Sequence, residues 1–315
     1  MERMLVSVGT ASLMDETFFA EFYRRMFLIR CVEEEIVARY PKQMMRCPVH
    51  LSIGQELPAV AVAMALKPGD KMFSGHRCHA HYLAVGGDLR KMVAELYGLP
   101  SGCCQGRGGS MHLVDEAAGY MGTTPIVGSC LPLALGMAMA MRIRGEDGRV
   151  VAFVGDAAPE TGQFWETLNL AVMQRAPLLV VLENNQYATA THILQRQPQQ
   201  TIWQRVRGFG LSAHYGTGSP AHLTADIQEL FGELPAFIEI PTYRYRAHVG
   251  MEYDWDKGYR DRLEVETAMA KDPLLLLRHE IPSYIGPNGM AELEAKIRTR
   301  VTEVFDDVER EASFV

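Results

Sequence analysis

VVAFVGDAAPETGQFWETLNLAVMQRAPLLVVLENNQY, residues 150–187, is the stretch that decides the fold of this chain. A first apolar run ends in Gly155 and Asp156, a helical pattern follows, and a second apolar run ends in Asn184 and Asn185. This pattern predicts a strand, a helix and a second strand. Such a crossover makes the two strands parallel, so their carboxyl ends lie at the same edge of the sheet.

Asp156 and Asn185 are the first candidate metal ligands. Ligands of open α/β sheets bind in the crevice outside the carboxyl ends of the strands, so these two side chains are expected to meet there. A carboxylate and an amide carbonyl are hard oxygen donors, and they suit Mg²⁺, which is often held by few protein groups plus ligand phosphates. Each residue alone also has a structural interpretation, because Asp can cap a helix and an Asn pair can form a turn.

Composition indicates a folded protein with a sizeable core. The chain has 315 residues, of which 48% are hydrophobic and 22% charged, and these proportions are ordinary for a soluble globular protein. We therefore expect a single α/β domain over residues 1–315. The formal net charge of −7 argues against a general nucleic-acid binder.

The protein is expected to be cytoplasmic, or organellar after processing, with no membrane partner. Residues 1–16 lack the long apolar core of a signal peptide. The stretch 131–141 looks apolar but is too short to span a bilayer. The six cysteines contain no CxxC pair, so we expect reduced thiols and not a disulfide framework.

Periodic segments predict further elements around the central unit. Helices are expected at residues 16–39, 55–66, 89–97, 133–143 and 289–312, and another strand at 236–240. The Gly-rich segment 100–125 is expected to be a long functional loop, and 195–218 to be irregular. Helical extensions would then occupy about residues 1–45 and 262–315.

Five sequence blocks in a fixed order give the chain a family resemblance. They are HLSIGQE (50–56), GRGGSMH (106–112), IVG (126–128), GDA with ENNQY (155–157 and 183–187), and TYRY (242–245). The blocks resemble the alpha subunit of the first component of 2-oxo acid dehydrogenase complexes, of the pyruvate, branched-chain and acetoin types. One such block would be weak, but five in order are strong. The resemblance implies the thiamine diphosphate-binding fold, a parallel sheet flanked by helices.

The resemblance implies thiamine diphosphate and Mg²⁺ as cofactors. The implied metal ligands are Asp156, the side chain of Asn185 and the backbone carbonyl of Tyr187. Arg77 would contact the diphosphate, a task that its bidentate donors suit, and the backbone of Val127 would meet the aminopyrimidine ring. The full set of implied cofactor-binding residues is His76, Arg77, Val127, Gly155, Asp156, Ala157, Ala158, Asn185 and Tyr187.

Histidines are the implied catalytic residues. His50, His79 and His248 match positions in the substrate channel or near the reacting end of the site, where imidazole could orient a carboxylate or move protons. The block HRCHAH at residues 76–81 could alternatively bind zinc. Spacing alone does not decide between these roles, and the resemblance favours the cofactor site. His76 stands where the family usually has Tyr.

Three residues depart from the family pattern beside the diphosphate motif: Ala157, Pro159 and Glu160. The family's GDG ends in Ala157 here, which costs about 1 kcal/mol relative to Gly if φ is positive and only crowds the loop if φ is negative. Glu160 adds a negative charge, so weaker cofactor binding is expected. By contrast, Gln55 and Glu56 are expected to cap and position the helix that follows His50.

The function implied by the resemblance is oxidative decarboxylation of a pyruvate-like 2-oxo acid, with acyl transfer to a lipoyl group. A beta subunit would supply a catalytic glutamate in a heteromer of two alpha and two beta chains, and a lipoyl-bearing acyltransferase would be a further partner. Two alternatives stay open. One is a two-subunit thiamine diphosphate carboligase or biosynthetic acyl-transfer enzyme. The other is a non-catalytic regulatory subunit, which Ala157 and Glu160 would explain.

Overall fold

The computed structural model describes residues 15–313, and its centre is a six-stranded sheet. All the strand pairs of this sheet are parallel, in the order β2-β1-β3-β4-β8-β7, and a separate antiparallel pair joins β5 and β6. The strands are β1 (Lys71–Ser74), β2 (Tyr120–Thr123), β3 (Val150–Gly155), β4 (Leu178–Asn184), β5 (Tyr187–Ala188), β6 (Thr191–His192), β7 (Ser212–Tyr215) and β8 (Ala236–Pro241).

Helices cover both faces of the sheet and extend beyond it at both ends of the chain. They are α1 (Glu16–Arg39), α2 (Glu56–Ala65), α3 (His79–Ala84), α4 (Leu89–Leu96), α5 (Cys130–Arg144), α6 (Gly162–Gln174), α7 (Trp203–Arg207), α8 (Pro220–Leu230), α9 (Arg262–Met269), α10 (Pro273–Glu280) and α11 (Pro282–Ala312). α11 is kinked at Gly286, where φ is +74°. None of these helices has the length and apolarity that a bilayer span requires. Residues 1–14 of the expected amino-terminal extension lie outside the described residues.

The alternation of side chains along the strands divides the core into two layers. In β3, Val151 and Phe153 belong to the cluster of buried apolar residues that includes α1, α2 and α11, whereas Val150, Ala152 and Val154 belong to the cluster that includes α5 and α6. The same alternation continues in β4 and β8. A strand that is apolar on both faces is typical of parallel sheets covered by helices, so the continuous apolar runs of the sequence are explained by two-sided burial.

Buried ion pairs fix the amino-terminal helix to the rest of the protein. Arg30 of α1 pairs with Glu56 of α2 at 2.5 Å and with Asp272, which caps α10, at 2.8 Å. Glu56 also accepts a hydrogen bond from the backbone of Gly54 at 3.0 Å. Glu56 therefore positions the start of α2, as the sequence predicted.

The register of the central strands sets where the functional residues lie. Gly155 at the end of β3 is paired with Glu183 of β4, and Glu183 is paired with Ile240 of β8. Asp156 and Asn185 therefore follow neighbouring strand ends at one edge of the sheet. This arrangement confirms the predicted α/β fold and its parallel strand, helix, strand unit.

Two predictions about local structure were wrong. Segment 195–218 is not irregular throughout, because it contains α7 and the edge strand β7. The expected loop 100–125 ends in β2, the strand at the opposite edge. Both edge strands are four residues long and only partly buried, so neither has the continuous apolar run that marks the central strands.

Candidate active site

A cavity of about 230 Å³ opens at the carboxyl edge of the sheet, between the ends of β3 and β4 and the segments that follow β1 and β8. Most of the residues predicted for the site line it: His50, His76, Arg77, Val127, Gly155, Asp156, Ala157, Tyr187 and His248. The remaining predicted residues, His79, Ala158 and Asn185, do not line it. The structure thus gathers residues from separate parts of the sequence, between residues 50 and 248, around one cavity.

Asp156 is a buried carboxylate that is paired with a cation from the same chain. Only 3% of the residue is exposed, and its Oδ2 accepts a hydrogen bond from Nη2 of Arg196. Burial raises the pKa of Asp156, and Arg196 opposes that shift. The position at the end of β3 is therefore one where a negative charge is stabilised by a bound cation.

Arg196 also neutralises Glu160, one of the residues that depart from the family pattern. Its Nη1 donates to Oε1 of Glu160, and Gln197 donates to the same oxygen at 3.2 Å. Sequence reasoning missed Arg196, which lies 40 residues from Asp156 in a segment without a motif. The predicted excess of negative charge at Glu160 is thus offset within the chain.

Asn185 and Tyr187 form a tight turn beside Asp156. The side-chain oxygen of Asn185 accepts a hydrogen bond from the backbone of Tyr187 at 3.1 Å, and its amide donates to Gln55 at 2.8 Å. Gln55 occupies the N-cap position of α2, as expected, but its side chain makes no capping hydrogen bond there. Its side-chain oxygen accepts the hydrogen bond from Asn185 instead, and Gln55 therefore orients Asn185. The Tyr187 hydroxyl donates to Glu264 of α9 at 3.0 Å, which anchors this turn to the carboxyl-terminal helices.

Arg77 places a buried positive charge on the cavity wall. It is 9% exposed, and its guanidinium donates to the carbonyl oxygens of Leu51 at 2.6 Å and His248 at 3.1 Å. Burial, and then the neighbouring Arg244, lower the pKa of Arg77 to about 9. A cation in these surroundings is stabilised by an anion in the cavity.

Three histidines form a cluster at the cavity. The ring centres of His50 and His76 are 4.7 Å apart. The ring centre of His248 lies 5.1 Å from that of His50 and 5.3 Å from that of His76. Burial, followed by Arg77, lowers the pKa of His76 to about 4 and that of His248 to about 3. The pKa of His50 is lowered further for the same reasons, so all three imidazoles are neutral near pH 7.

His79 and Cys78 are packed away from the cavity. His79 is fully buried, with Nε2 at 2.8 Å from the Ser110 hydroxyl and Nδ1 at 3.3 Å from Glu33. The Cys78 thiol donates to the carbonyl of Ser110. The structure therefore gives His79 a packing role and not the expected place at the reacting end. It also does not bring the HRCHAH block together as a zinc site, since its side chains face different partners.

His81 and Glu183 are cavity residues that the sequence analysis did not single out. His81 is stacked on Phe153 with ring centres 3.9 Å apart, and its Nε2 lies 3.2 Å from Oε1 of Glu183. Both residues occur in quoted motif blocks, HRCHAH and ENNQY. The periodicity of α3, in which His79 and His81 point in different directions, is the signal that could have identified His81.

The backbone of the diphosphate motif is unstrained despite the alanine. Ala157 has φ −85° and ψ −16°, an ordinary helical conformation. The penalty considered for a positive φ therefore does not apply. Gly128, which follows Val127, does need to be glycine, because its φ is +79° and a Cβ would lie 2.9 Å from the Thr161 hydroxyl.

Comparisons with known protein sequences identify the family of this chain. The model of the dehydrogenase E1 component family matches residues 24–214, more than half of the chain. The chain belongs to the dehydrogenase E1 component family. The family predicted from the five motif blocks is thereby confirmed.

Relatives of this family match along nearly the whole chain. A pyruvate dehydrogenase E1 component subunit alpha from Zymomonas mobilis is 35% identical over 306 residues, 94% of this chain and 85% of that protein. Its counterpart from Rhizobium meliloti is 33% identical over 93% of this chain and 84% of that protein. The counterpart from Rickettsia bellii is 29% identical over 96% of this chain and 94% of that protein. These matches support the alpha-subunit type within the family and the predicted class of enzyme, a decarboxylating 2-oxo acid dehydrogenase component.

Proposed function

We propose that this chain is the alpha subunit of a thiamine diphosphate- and Mg²⁺-dependent enzyme. The enzyme decarboxylates a pyruvate-like 2-oxo acid and passes the acyl unit to a lipoyl group. The observation that carries this proposal is the cavity at the carboxyl edge, which joins Asp156, Arg77 and the cluster of three neutral histidines. The names of the relatives support pyruvate as the first substrate to test.

The charges of the cavity wall fit a magnesium diphosphate. Asp156 already stabilises a cation, as its pairing with Arg196 demonstrates. The Asn185 side chain supplies a second hard oxygen, and the carbonyl of Tyr187 is the third proposed ligand. On the other side, Arg77 is a buried cation that an anionic diphosphate would neutralise. Asp156, Asn185 and Tyr187 are therefore proposed to hold the metal, and Arg77 the diphosphate.

The chain's own residues would bind and orient the 2-oxo acid. When bound, thiamine diphosphate supplies the electron sink for decarboxylation. The cluster of His50, His76 and His248 offers neutral imidazoles, and Nδ1 of the buried His50 has no hydrogen-bond partner in the described part of the chain. Such a group can accept or donate a hydrogen bond to a substrate carboxylate and can transfer a proton. His50 and His248 are the proposed catalytic residues.

An exposed apolar surface beside the cavity supports a beta-subunit partner. Val127, which lines the cavity, is 40% exposed, and the adjacent Ile126 is 67% exposed. Leu133 and Ile143 of α5 are also exposed, by 58% and 79%. Large apolar residues exposed beside a cavity are typical of protein–protein contacts. We propose that a beta subunit covers it in a heteromer of two alpha and two beta chains, working in the cytoplasm with a lipoyl-bearing acyltransferase.

One observation favours a second candidate, the non-catalytic regulatory subunit. Arg196 supplies a positive charge to Asp156 from within the chain, so a chain that has lost the cofactor would keep a stable site. The intact Asp156, Asn185 and Arg77 favour the catalytic proposal, because a regulatory chain has no need for them together.

A decarboxylation assay tests the proposal. The chain is purified with its beta partner, and CO₂ release from pyruvate is measured with a lipoyl domain as acceptor. We expect Asp156→Asn to lower kcat/KM at least about 100-fold, because the metal loses its charged ligand. The exposed Asp147→Asn is the matched control and should behave as the wild type.

Two results of this assay would contradict the proposal. Acyl transfer only to an aldehyde, and not to the lipoyl domain, would assign the enzyme to the carboligases. Full activity of the Asp156→Asn heteromer would identify the chain as a non-catalytic subunit.

A further inference from the structure

The guanidinium of Arg196 is fully engaged, although the residue lies on a surface segment. Its Nε donates to the carbonyl of Thr191 at 3.0 Å, while Nη1 and Nη2 donate to Glu160 and Asp156. Only 9% of its side chain is exposed. This geometry is that of an internal counter-ion, because all three nitrogens meet oxygen acceptors.

The ion pair stabilises a carboxylate that would otherwise be buried without a partner. Asp156 is 3% exposed, and the guanidinium is the cation that counteracts its burial. A buried charge left unpaired is strongly destabilising. A divalent cation at Asp156 would repel the guanidinium, because like charges within a few ångströms in a poorly solvated site interact strongly. The two cations therefore compete for one carboxylate.

The segment that carries Arg196 is partly exposed between two buried residues. It folds back over the turn that bears Asn185, with the backbone N–H of Ile193 donating to the carbonyl of Gln186 at 2.7 Å. Ile193 is fully buried and Gln197 is 8% exposed and held by side-chain hydrogen bonds, whereas Leu194 is 53% exposed. A displacement of the Arg196 guanidinium would therefore rearrange the turn between these two residues while Ile193 stays in the core.

We propose that Arg196 is a built-in counter-ion that occupies the cation position of Asp156 until a divalent cation displaces it. Glu160 is the second anchor, which keeps the guanidinium beside the site. This inference rests on the proposed function in one respect, namely that Asp156 binds the metal. It assigns to Arg196 and Glu160 the role of an autoinhibitory contact that sets the concentration of divalent cation required.

Manganese binding measured by electron paramagnetic resonance tests this inference. Mn²⁺ is titrated into the full chain, purified with its beta partner and saturated with thiamine diphosphate. We expect Arg196→Gln to bind Mn²⁺ about tenfold more tightly than the wild type, because a charge-assisted hydrogen bond no longer competes. Arg207→Gln is the matched control, because it removes one positive charge from the neighbouring helix α7 and should leave the affinity unchanged.

The outcomes separate this inference from the proposed function. Mn²⁺ binding by Arg196→Gln that is as tight as wild-type binding, or weaker, would overturn only the proposed role of Arg196. The proposed metal site would stand. Absence of Mn²⁺ binding by both the wild type and Arg196→Gln, or binding that Asp156→Ala does not weaken, would overturn the metal site and this inference with it.

Amide hydrogen exchange of the wild type gives a second readout that needs no variant. Saturation with Mg²⁺ and thiamine diphosphate should accelerate exchange of the Arg196 and Gln197 amides, which donate to the carbonyl of Ile193 at 3.0 and 2.7 Å. Unchanged exchange of these amides on saturation would contradict the displacement.

Discussion

The histidine cluster shows how burial sets the charge of single residues in this site. His50 is 7% exposed, and the buried Arg77 lies beside His248 with Nη2 and Nδ1 3.5 Å apart. Both effects disfavour the imidazolium form, so the cluster stays neutral at a pH where an exposed histidine is partly charged. Because the histidine cluster is neutral, Arg77 is the main positive charge that faces an anionic ligand.

This charge state predicts a loss of stability in mild acid. The folded pKa of His76 is about 4, below its ordinary value of 6.5. Between these two values the unfolded chain binds a proton that the folded chain does not, so the free energy of unfolding falls as the pH falls. The contribution of His76 to the change in the free energy of unfolding should stay below about 1.4 kcal/mol per pH unit, because the side chain is partly exposed. Above pH 6.5 the residue contributes no pH dependence.

Urea unfolding of the His76→Gln variant checks this prediction. The variant should lose less stability than the wild type between pH 6.5 and pH 4.5. His279→Gln, at an exposed position on α10, serves as the control and should follow the wild-type curve. If the free energy of unfolding falls with pH equally for His76→Gln and the wild type, then His76 is not buried in its neutral form.

At the level of residues, the sequence identified the site residues that lie in motifs. It did not identify the side chains that contact those residues. Asp156, Arg77 and His248 occur in blocks that a family resemblance can read. Arg196 and Gln55 reach the site through side-chain contacts, with Arg196 coming from a segment that has no motif. Periodicity carries no information about which distant side chain will pair with a buried carboxylate, so only the structure could supply Arg196.

Among the elements, the Gly-rich loop is held by one buried carboxylate of α4. Glu95 is 1% exposed and accepts four backbone hydrogen bonds, from residues Cys104, Gly106, Gly108 and Gly109, at 2.7 to 2.9 Å. A carboxylate is acceptor-only, so its two oxygens satisfy four amides at once. The loop leads to Met111 on the cavity wall, and Glu95 therefore positions part of the site from outside it.

Replacement of Glu95 by Gln should unfold this loop locally and destabilise the chain. In Gln an NH2 group replaces one of the two carboxylate oxygens. Two backbone N–H groups would then meet a donor and lose their acceptor, so we expect a loss of about 2 to 4 kcal/mol in the free energy of unfolding. The exposed Glu116→Gln is the matched control. Urea denaturation gives the magnitude, and amide exchange at Gly106 and Gly108 gives the location. A loss below about 1 kcal/mol for Glu95→Gln would show that the loop orders itself without the carboxylate.

The elements that could be predicted are those with strong periodicity. α1 begins and ends where the sequence predicted, at Glu16 and Arg39, and β3, β4 and β8 follow the apolar runs. The edge strands β2 and β7 were not predicted, because one face of each is left partly exposed and the alternation is short. Edge strands depend on the neighbour they pair with, and that neighbour is distant in sequence.

For the whole molecule, the features beside the cavity fit the proposal that a second chain completes the site. The carboxyl edge supplies buried charges, whereas the wall around Val127 and Ile126 is apolar and exposed. In the proposed heteromer, a surface of the beta subunit would exclude water from the reacting end, which strengthens electrostatic interactions there. The order of the motif blocks predicted the family correctly, and the division of the site between two chains remains a proposal.

Calorimetric titration of thiamine diphosphate with Mg²⁺ tests the shared site most directly. The titration is carried out with the chain alone, with the beta subunit alone and with both together. We predict tight binding of one cofactor per alpha chain only when both subunits are present, and at least tenfold weaker binding with Asp156→Ala. Equally tight binding by this chain alone, or binding by the heteromer that Asp156→Ala leaves unchanged, would contradict the account.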